Sequence, residues 1–126
     1  MANLYTPFGE QLGLRVPIIQ APMAGGPSSV ELVTACSAAG ALGSFGHAYT
    51  QPDDMKKQAA AVRAKTDRPF GINLFVSPQP AAIDNVHQSA TLAMLAPWYA
   101  EMGLPVPEAC KPPYAPDLQA QLAAVA

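Results

Sequence analysis

Charged residues are scarce in this chain. Only 13% of the 126 residues are charged, with seven Lys and Arg against nine Asp and Glu. No basic run or stripe is available to neutralise a phosphate backbone, which argues against nucleic-acid binding. Half of the residues are hydrophobic, so the composition excludes an extended disordered chain. The length allows one ordinary domain with a buried core.

Long hydrophobic runs are missing as well, because Gly, Pro, Ser and His interrupt every apolar stretch. No stretch is long enough to span a bilayer, so we expect no membrane segment. Residues 1–10 lack the basic region and apolar core of a secretory signal. These absences favour a cytoplasmic protein.

Cysteine is rare, and Cys36 and Cys110 lie far apart in the chain. This favours two reduced, buried or half-buried thiols over a disulfide or a catalytic cysteine. Neither His47 nor His87 has the neighbours that a zinc site requires, so we expect no metal.

Strand and helix signals alternate through residues 16–76. Strands are predicted at residues 16–22 (VPIIQAP), 41–47 (ALGSFGH) and 70–76 (FGINLFV), because each is short, apolar and bounded by Gly or Pro. A helix is predicted in each of the two intervals. Such a β-α-β-α-β order predicts an α/β fold with a parallel sheet, which could be open or closed.

Both intervening helices carry end signals. Ser28 and Glu31 have the spacing of a capping box, and Gly40 is placed to stop the first helix. For the second helix, Thr50 and Asp53 are predicted to provide the cap, with Pro52 in the first turn. Its buried face is predicted to comprise Met55, Ala59 and Val62.

The chain changes character after residue 76. We predict a helical stretch over residues 81–102 that Pro97 interrupts, a proline-rich irregular segment over 104–116, and a helix over 117–126. Residues 1–76 are thus the β-α-β-α-β core, and residues 77–126 are a helical, proline-rich insertion.

Ligands of parallel α/β folds bind at the carboxyl ends of the strands. There, the main chain of residues 21–24 could offer N–H and C=O groups to a planar heterocycle, with Met23 beside it, although methionine is commonly core filler. Asn73 could present its amide to a ring acceptor or bond neighbouring backbone. His47 could be a general base or an ordinary surface histidine.

Several segments look familiar. PIIQAPMAGG (residues 17–26), GALGSFG (40–46) and PFGINLFV (69–76) resemble the signatures of nitronate monooxygenases, formerly called 2-nitropropane dioxygenases. The segment WYAEMGLPVPEAC (98–110) resembles the helical insertion that follows the third strand in one class of that family. The resemblance therefore covers nearly the whole chain.

The resemblance implies a TIM (β/α)8 barrel that binds FMN and oxidises alkyl nitronates with O₂. It also implies that Ala21, Pro22 and Met23 contact the flavin ring and that Asn73 hydrogen-bonds to it. Such a barrel takes about 250 residues, so the chain is expected to be a partial barrel, the N-terminal fragment of one domain. The family's catalytic histidine lies on a later strand, and we expect no activity from this chain alone.

Two alternatives are open at this point. The chain could belong to a related FMN-dependent barrel of the enoyl-reductase kind, which a nicotinamide dependence would reveal. It could also be a non-catalytic fragment that assembles with a complementary chain, or into a homo-oligomer, through an unpaired sheet edge.

Overall fold

The computed structural model describes residues 6–76, 84–111 and 115–126. Its elements follow the order α1 (Pro7–Gln11), α2 (Val30–Ala38), β1 (Gly43–Gly46), α3 (Pro52–Arg63), β2 (Phe70–Asn73), α4 (Asn85–Glu101) and α5 (Leu118–Val125). Two compact units are present, and the first combines Met1–Val76 with Ala115–Ala126. The last helix, which the sequence assigned to the insertion, therefore packs with the first unit.

The two strands form a parallel pair, as the sequence predicted. Gly43 lies beside Phe70 at one end of the ladder, and Gly46 lies beside Asn73 at the other. Both strands are shorter than the predicted segments over residues 41–47 and 70–76.

The predicted strand over residues 16–22 is wrong in extent, since only one parallel bridge, between Ile19 and Leu42, remains of it. The Leu42 N–H donates to the Ile18 carbonyl at 2.9 Å, and the Gln20 N–H donates to the Leu42 carbonyl at 2.9 Å. Prolines stand on both sides of this bridge, and proline cannot donate to a ladder. The segment is thus the neighbour of β1, as expected, without being a regular strand.

Helix α2 begins one residue later than predicted. Ser29 is the N-cap residue, and its Oγ accepts a hydrogen bond from the Leu32 N–H at 3.3 Å. Ser28 is buried and bonds elsewhere. The predicted stop is confirmed, because Gly40 follows the helix with a φ of 95°, a conformation that favours glycine.

Helix α3 has Pro52 in its first turn, as predicted, but its N-cap residue is Gln51 rather than Thr50. No side chain caps this end. Met55 and Val62 are fully buried and Ala59 is half-buried, which confirms the predicted face.

The core of the first unit lies between the sheet and helices α2 and α3. Val33, Phe45 and Val62 form its centre, and β2 adds two side chains, Phe70 and Ile72. The rings of Phe45 and Phe70 meet edge to face with centroids 5.9 Å apart, a favoured aromatic geometry. Since side chains alternate along a strand, the sheet face turned away from this core, which we call the open face, carries Ser44, Gly46, Gly71 and Asn73.

The second unit contains α4, which has no buried residue. Asp84 caps it by accepting the His87 N–H at 2.7 Å. The predicted interruption at Pro97 is wrong, since the helix is continuous through that residue. The chain from residue 104 to 111 is irregular, as predicted. Residues 81–83 of the predicted helix lie outside the described residues.

Candidate functional site

The carboxyl ends of three chain segments meet at the open face. Gly46 ends β1 and pairs with Asn73, which ends β2. A Cβ atom built on Gly46 would lie 2.6 Å from both the Ala24 nitrogen and the Met23 carbonyl carbon. The main chain of Met23 and Ala24 therefore packs directly against Gly46, with Asn73 on the adjacent strand.

Small residues let neighbouring atoms pack closely on the open face. A Cβ on Gly71 would lie 2.8 Å from the Ser44 Oγ, so glycine is favoured there too. Glycine at such positions allows close approach of another backbone or a ligand. At Gly46 that place is taken by the main chain of Met23 and Ala24, so the surface that a ligand could meet is this segment and the exposed Asn73.

The predicted contact residues are accessible. Ala21, Pro22 and Asn73 are exposed, and Met23 is 39% exposed. The Asn73 carbonyl accepts the His47 N–H at 3.0 Å, while its side-chain amide has no hydrogen bond within the described residues. Of the predicted residues, Met23 and Asn73 are brought together, since Met23 packs on Gly46 and Gly46 pairs with Asn73.

Gln20 and Ser28 hold the segment that carries these residues. The Ser28 Oγ accepts the Met23 N–H at 2.8 Å, and the Gln20 Oε1 accepts the Ser44 N–H at 2.9 Å. The Gln20 Nε2 donates to the Ser28 Oγ at 3.3 Å and also to the Ala21 carbonyl. The Met23 N–H and the Ala21 carbonyl are thus engaged internally, which corrects the expectation that the whole stretch offers its polar groups to a ligand.

His47 is buried, contrary to the interpretation as a surface histidine. It is 2% exposed and stacks on Phe45, with ring centroids 4.8 Å apart. Its Nε2 lies 2.7 Å from the Gln58 Oε1, and its Nδ1 has no partner within the described residues. Burial lowers the pKa of His47, and the bond to Gln58 opposes this shift. The ring belongs to the helix-facing side of the sheet, so it is no general base for a ligand on the open face.

Gln121 is a residue that the sequence reasoning missed. It is 2% exposed, and its Nε2 donates to the carbonyl oxygens of His47 and Thr50, each at 2.9 Å. It ties α5 to the chain that follows β1. A glutamine in a short helix carries no signal of such a role.

Similarity to known proteins agrees with this geometry. The family model described as Nitronate monooxygenase matches residues 9–107. The chain belongs to the nitronate monooxygenase family. This confirms the family that the motifs suggested and makes the chain a member of a family of oxidoreductases.

Individual relatives agree. The probable nitronate monooxygenase of Bacillus subtilis (strain 168) is 46% identical over 69 residues, which are 55% of this chain and 20% of that protein. The nitronate monooxygenase of Paraburkholderia phytofirmans is 42% identical over 96 residues, 76% of this chain and 26% of that protein. The solved structure of nitroalkane oxidase from Streptomyces ansochromogenes matches with a TM-score of 0.72 and 34% identity, over 91% of this chain and 32% of that one.

The α/β fold is therefore similar to that of nitroalkane oxidase. The chain spans about a quarter or less of the length of these two curated relatives. The residues that the family model matches include Met23, Gly46 and Asn73, where the three segments end together.

An aromatic pair beside the site was also missed. Tyr49 follows β1 and Phe75 follows β2, and their rings meet edge to face with centroids 6.4 Å apart. They are 66% and 58% exposed. No pattern in the sequence indicates that residues this far apart would meet.

The cysteines and His87 form no further candidate site among the described residues. Cys36 is half-buried, as predicted, whereas Cys110 is exposed, and both are free thiols. The exposed His87 pairs with the Asp84 carboxylate at 2.6 Å within one helix turn. Across residues 6–76, 84–111 and 115–126, no group of three or more His, Cys, Asp or Glu is arranged to hold a metal ion. No helix in those ranges is long and apolar enough to cross a membrane.

Proposed function

We propose that this chain is the FMN-binding N-terminal part of an enzyme that oxidises alkyl nitronates with O₂. It would form the first three β-α units of a (β/α)8 barrel together with a helical insertion. The observation that carries the proposal is the contact of Met23 and Ala24 with Gly46, next to Asn73. In a (β/α)8 barrel, the ligand site is built where the carboxyl ends of the strands lie together.

A flat ring would lie against the segment of residues 21–24, whose main chain packs on Gly46. Ala21, Pro22 and Met23 would contact the ring, and the Asn73 amide would hydrogen-bond to it. Bound FMN would supply the redox centre that takes electrons from the nitronate and delivers them to O₂.

Exposed apolar side chains support the partial barrel. Ile18 and Ile19 are 58% and 53% exposed, and Val76 is 79% exposed. Contact with further protein would remove these apolar side chains from water. Further strands of a closed barrel would cover them, either in a longer chain or in a complementary one.

Helix α5 supports the same arrangement. It packs on α3 and follows β2 in the chain. In a (β/α)8 barrel each helix lies outside the strands and beside its neighbouring helix. By the resemblance, the catalytic histidine lies on a later strand, so the residues described hold and orient the flavin and do not complete the reaction.

The proposal is tested by titrating the purified chain with FMN and following flavin fluorescence and visible absorbance. Asn73→Ala should weaken FMN binding about tenfold, the effect expected for one lost hydrogen bond to a ring acceptor. Asn85→Ala, which removes an exposed amide from the start of α4, is the matched control and should bind like the wild type. A wild-type chain that binds no FMN, or an unchanged affinity in Asn73→Ala, would contradict the proposal.

A further inference from the structure

The ladder between the first segment and β1 has an unusual last rung. In a parallel pair the hydrogen bonds are evenly spaced along both chains. The Leu42 N–H bonds to the Ile18 carbonyl, and the Gln20 N–H bonds to the Leu42 carbonyl. The next rung would join the Ser44 N–H to the Gln20 main-chain carbonyl. The Ser44 N–H instead donates to the Gln20 side chain, at Oε1.

This replacement lets the main chain leave β1 without leaving a buried donor unpaired. Ser44 is 5% exposed, and an unsatisfied buried N–H is costly. The rung after it would need an N–H from residue 22, which is proline and has none. The Gln20 amide therefore serves as the terminal rung at the point where regular pairing ends.

The main chain then returns to the sheet at Gly46, where Met23 and Ala24 make their close contact. Residues 20–24 thus form an arch over the end of β1. The Gln20 Nε2 donates to the Ser28 Oγ, which in turn accepts the Met23 N–H. The Gln20 side chain thereby binds β1 directly, through Ser44, and stabilises the far part of the arch through Ser28.

We propose that Gln20 is a positioning residue for the bound flavin, acting by holding this arch in place. The inference rests on the proposed function, because the arch carries the three residues expected to contact the ring. Within the described residues, the Ala24 N–H makes no hydrogen bond and lies against Gly46. A fixed arch would leave this N–H available to the ring, while the Met23 N–H is kept internal.

Glutamine fits both tasks, because its oxygen accepts from the Ser44 N–H while its nitrogen donates to the Ser28 Oγ. Glutamate keeps the acceptor, loses the donor and places a charge in a half-buried position. Leucine keeps the size and loses both. The expected order of FMN affinity is wild type, then Gln20→Glu, then Gln20→Leu.

The test uses the full 126-residue chain with FMN as the probe. Gln20→Leu should weaken FMN binding about tenfold or more, and Gln119→Leu, at an exposed helix position, should bind like the wild type. In Gln20→Leu the visible band of the FMN-saturated complex should also shift, because the ring's contacts with the arch change. A residue that only stabilised the fold would lower the melting temperature and leave that band in place.

A second readout does not need flavin. Amide hydrogen exchange at Ser44 and Met23 should accelerate in Gln20→Leu and in Ser28→Ala. In the FMN titration, the losses of affinity in the double variant Gln20→Leu/Ser28→Ala should be less than additive, as for members of one network. Wild-type FMN binding with unchanged affinity and spectrum in Gln20→Leu would overturn the inference and leave the proposed function standing. The inference would also be overturned if the Ser44 amide exchanged at the same rate in Gln20→Leu as in the wild type, or if it exchanged in the wild type as fast as in an unstructured chain. Failure of the wild type to bind FMN would contradict both proposals, while the exchange data would still show whether Gln20 holds the arch.

Discussion

At the scale of single residues, the close approach at Gly46 is the feature most open to a direct test. Gly46→Ala places a methyl group 2.6 Å from backbone atoms of Met23 and Ala24, and backbone cannot move aside as a side chain can. We expect FMN binding about tenfold weaker or worse, since a shift of the arch costs at least one ring contact.

Gly71→Ala is the matched control for that change. Its methyl group would meet the Ser44 Oγ at 2.8 Å, a side-chain atom that can rotate away. A smaller loss of affinity than in Gly46→Ala is expected in the same fluorescence titration. Equal losses in the two variants would show that the contact at Gly46 is not what shapes the site.

His47 makes a prediction about pH. Burial lowers its pKa from 6.5, so below that pH the unfolded chain takes up a proton that the folded chain does not. The free energy of unfolding should therefore fall as pH drops below 6.5, by less than about 1.4 kcal/mol per pH unit, the limit for one proton. Urea unfolding between pH 7.5 and pH 5.5 (roughly the histidine range) measures it.

Two variants separate this effect from other titrations. His47→Gln should flatten the pH dependence, because its side chain carries no titrating proton. His87→Asn, which changes the other histidine of the chain, is the comparison variant. A slope that His47→Gln leaves unchanged would assign the effect to other groups.

How much the sequence reveals differs among these residues. The motifs pointed to Ala21, Pro22, Met23 and Asn73, and the structure packs Met23 on Gly46, whose strand partner is Asn73. The burial of His47 was not predicted, because a polar residue at a strand end is typical of the surface and only the packing of Phe45 and Gln58 around it decides otherwise. The tasks of Gln20 and Ser28 were hidden for a similar reason, since one partner, Ser44, lies on another segment.

At the scale of elements, α5 depends on one buried amide. Gln121→Leu removes two hydrogen bonds to the carbonyls of His47 and Thr50. Leaving buried acceptors unpaired costs about 1–3 kcal/mol, and urea unfolding of the purified chain measures the loss. Gln119→Leu, on the exposed side of the same helix, should change stability by less than about 0.5 kcal/mol. If both variants lost the same stability, Gln121 would have no special role.

Helix and strand identities were easier to predict than their ends. The alternation of short apolar runs with capped helices gave the correct order from α2 to β2. The cap of α2 was placed at Ser28 because two adjacent serines are equally good caps, and only the bonds of Ser28 to the arch separate them. The first strand was predicted too long, because its apolar pattern does not reveal where the Gln20 side chain replaces the main chain as the hydrogen-bond acceptor of β1.

At the scale of the whole molecule, the parallel pairing followed from the β-α-β-α-β order, whereas closure into a barrel does not follow from so few strands. The main segment of the first unit ends at Val76, and the return of Ala115–Ala126 to that unit was not predicted. That return depends on Gln121 and on contact with α3, which no periodicity of the last helix indicates.

The proposed flavin site is the surface where the first segment, β1 and β2 end together, and amide chemical-shift mapping tests it most directly. The ¹⁵N-labelled chain would be titrated with FMN and the chemical shifts of the backbone amides followed. We expect the largest shifts at Ala24, Gly46 and Leu74, with little change along α4. Shifts centred on α4 or on the helix-facing side of the sheet, around Val33 and Val62, would contradict it.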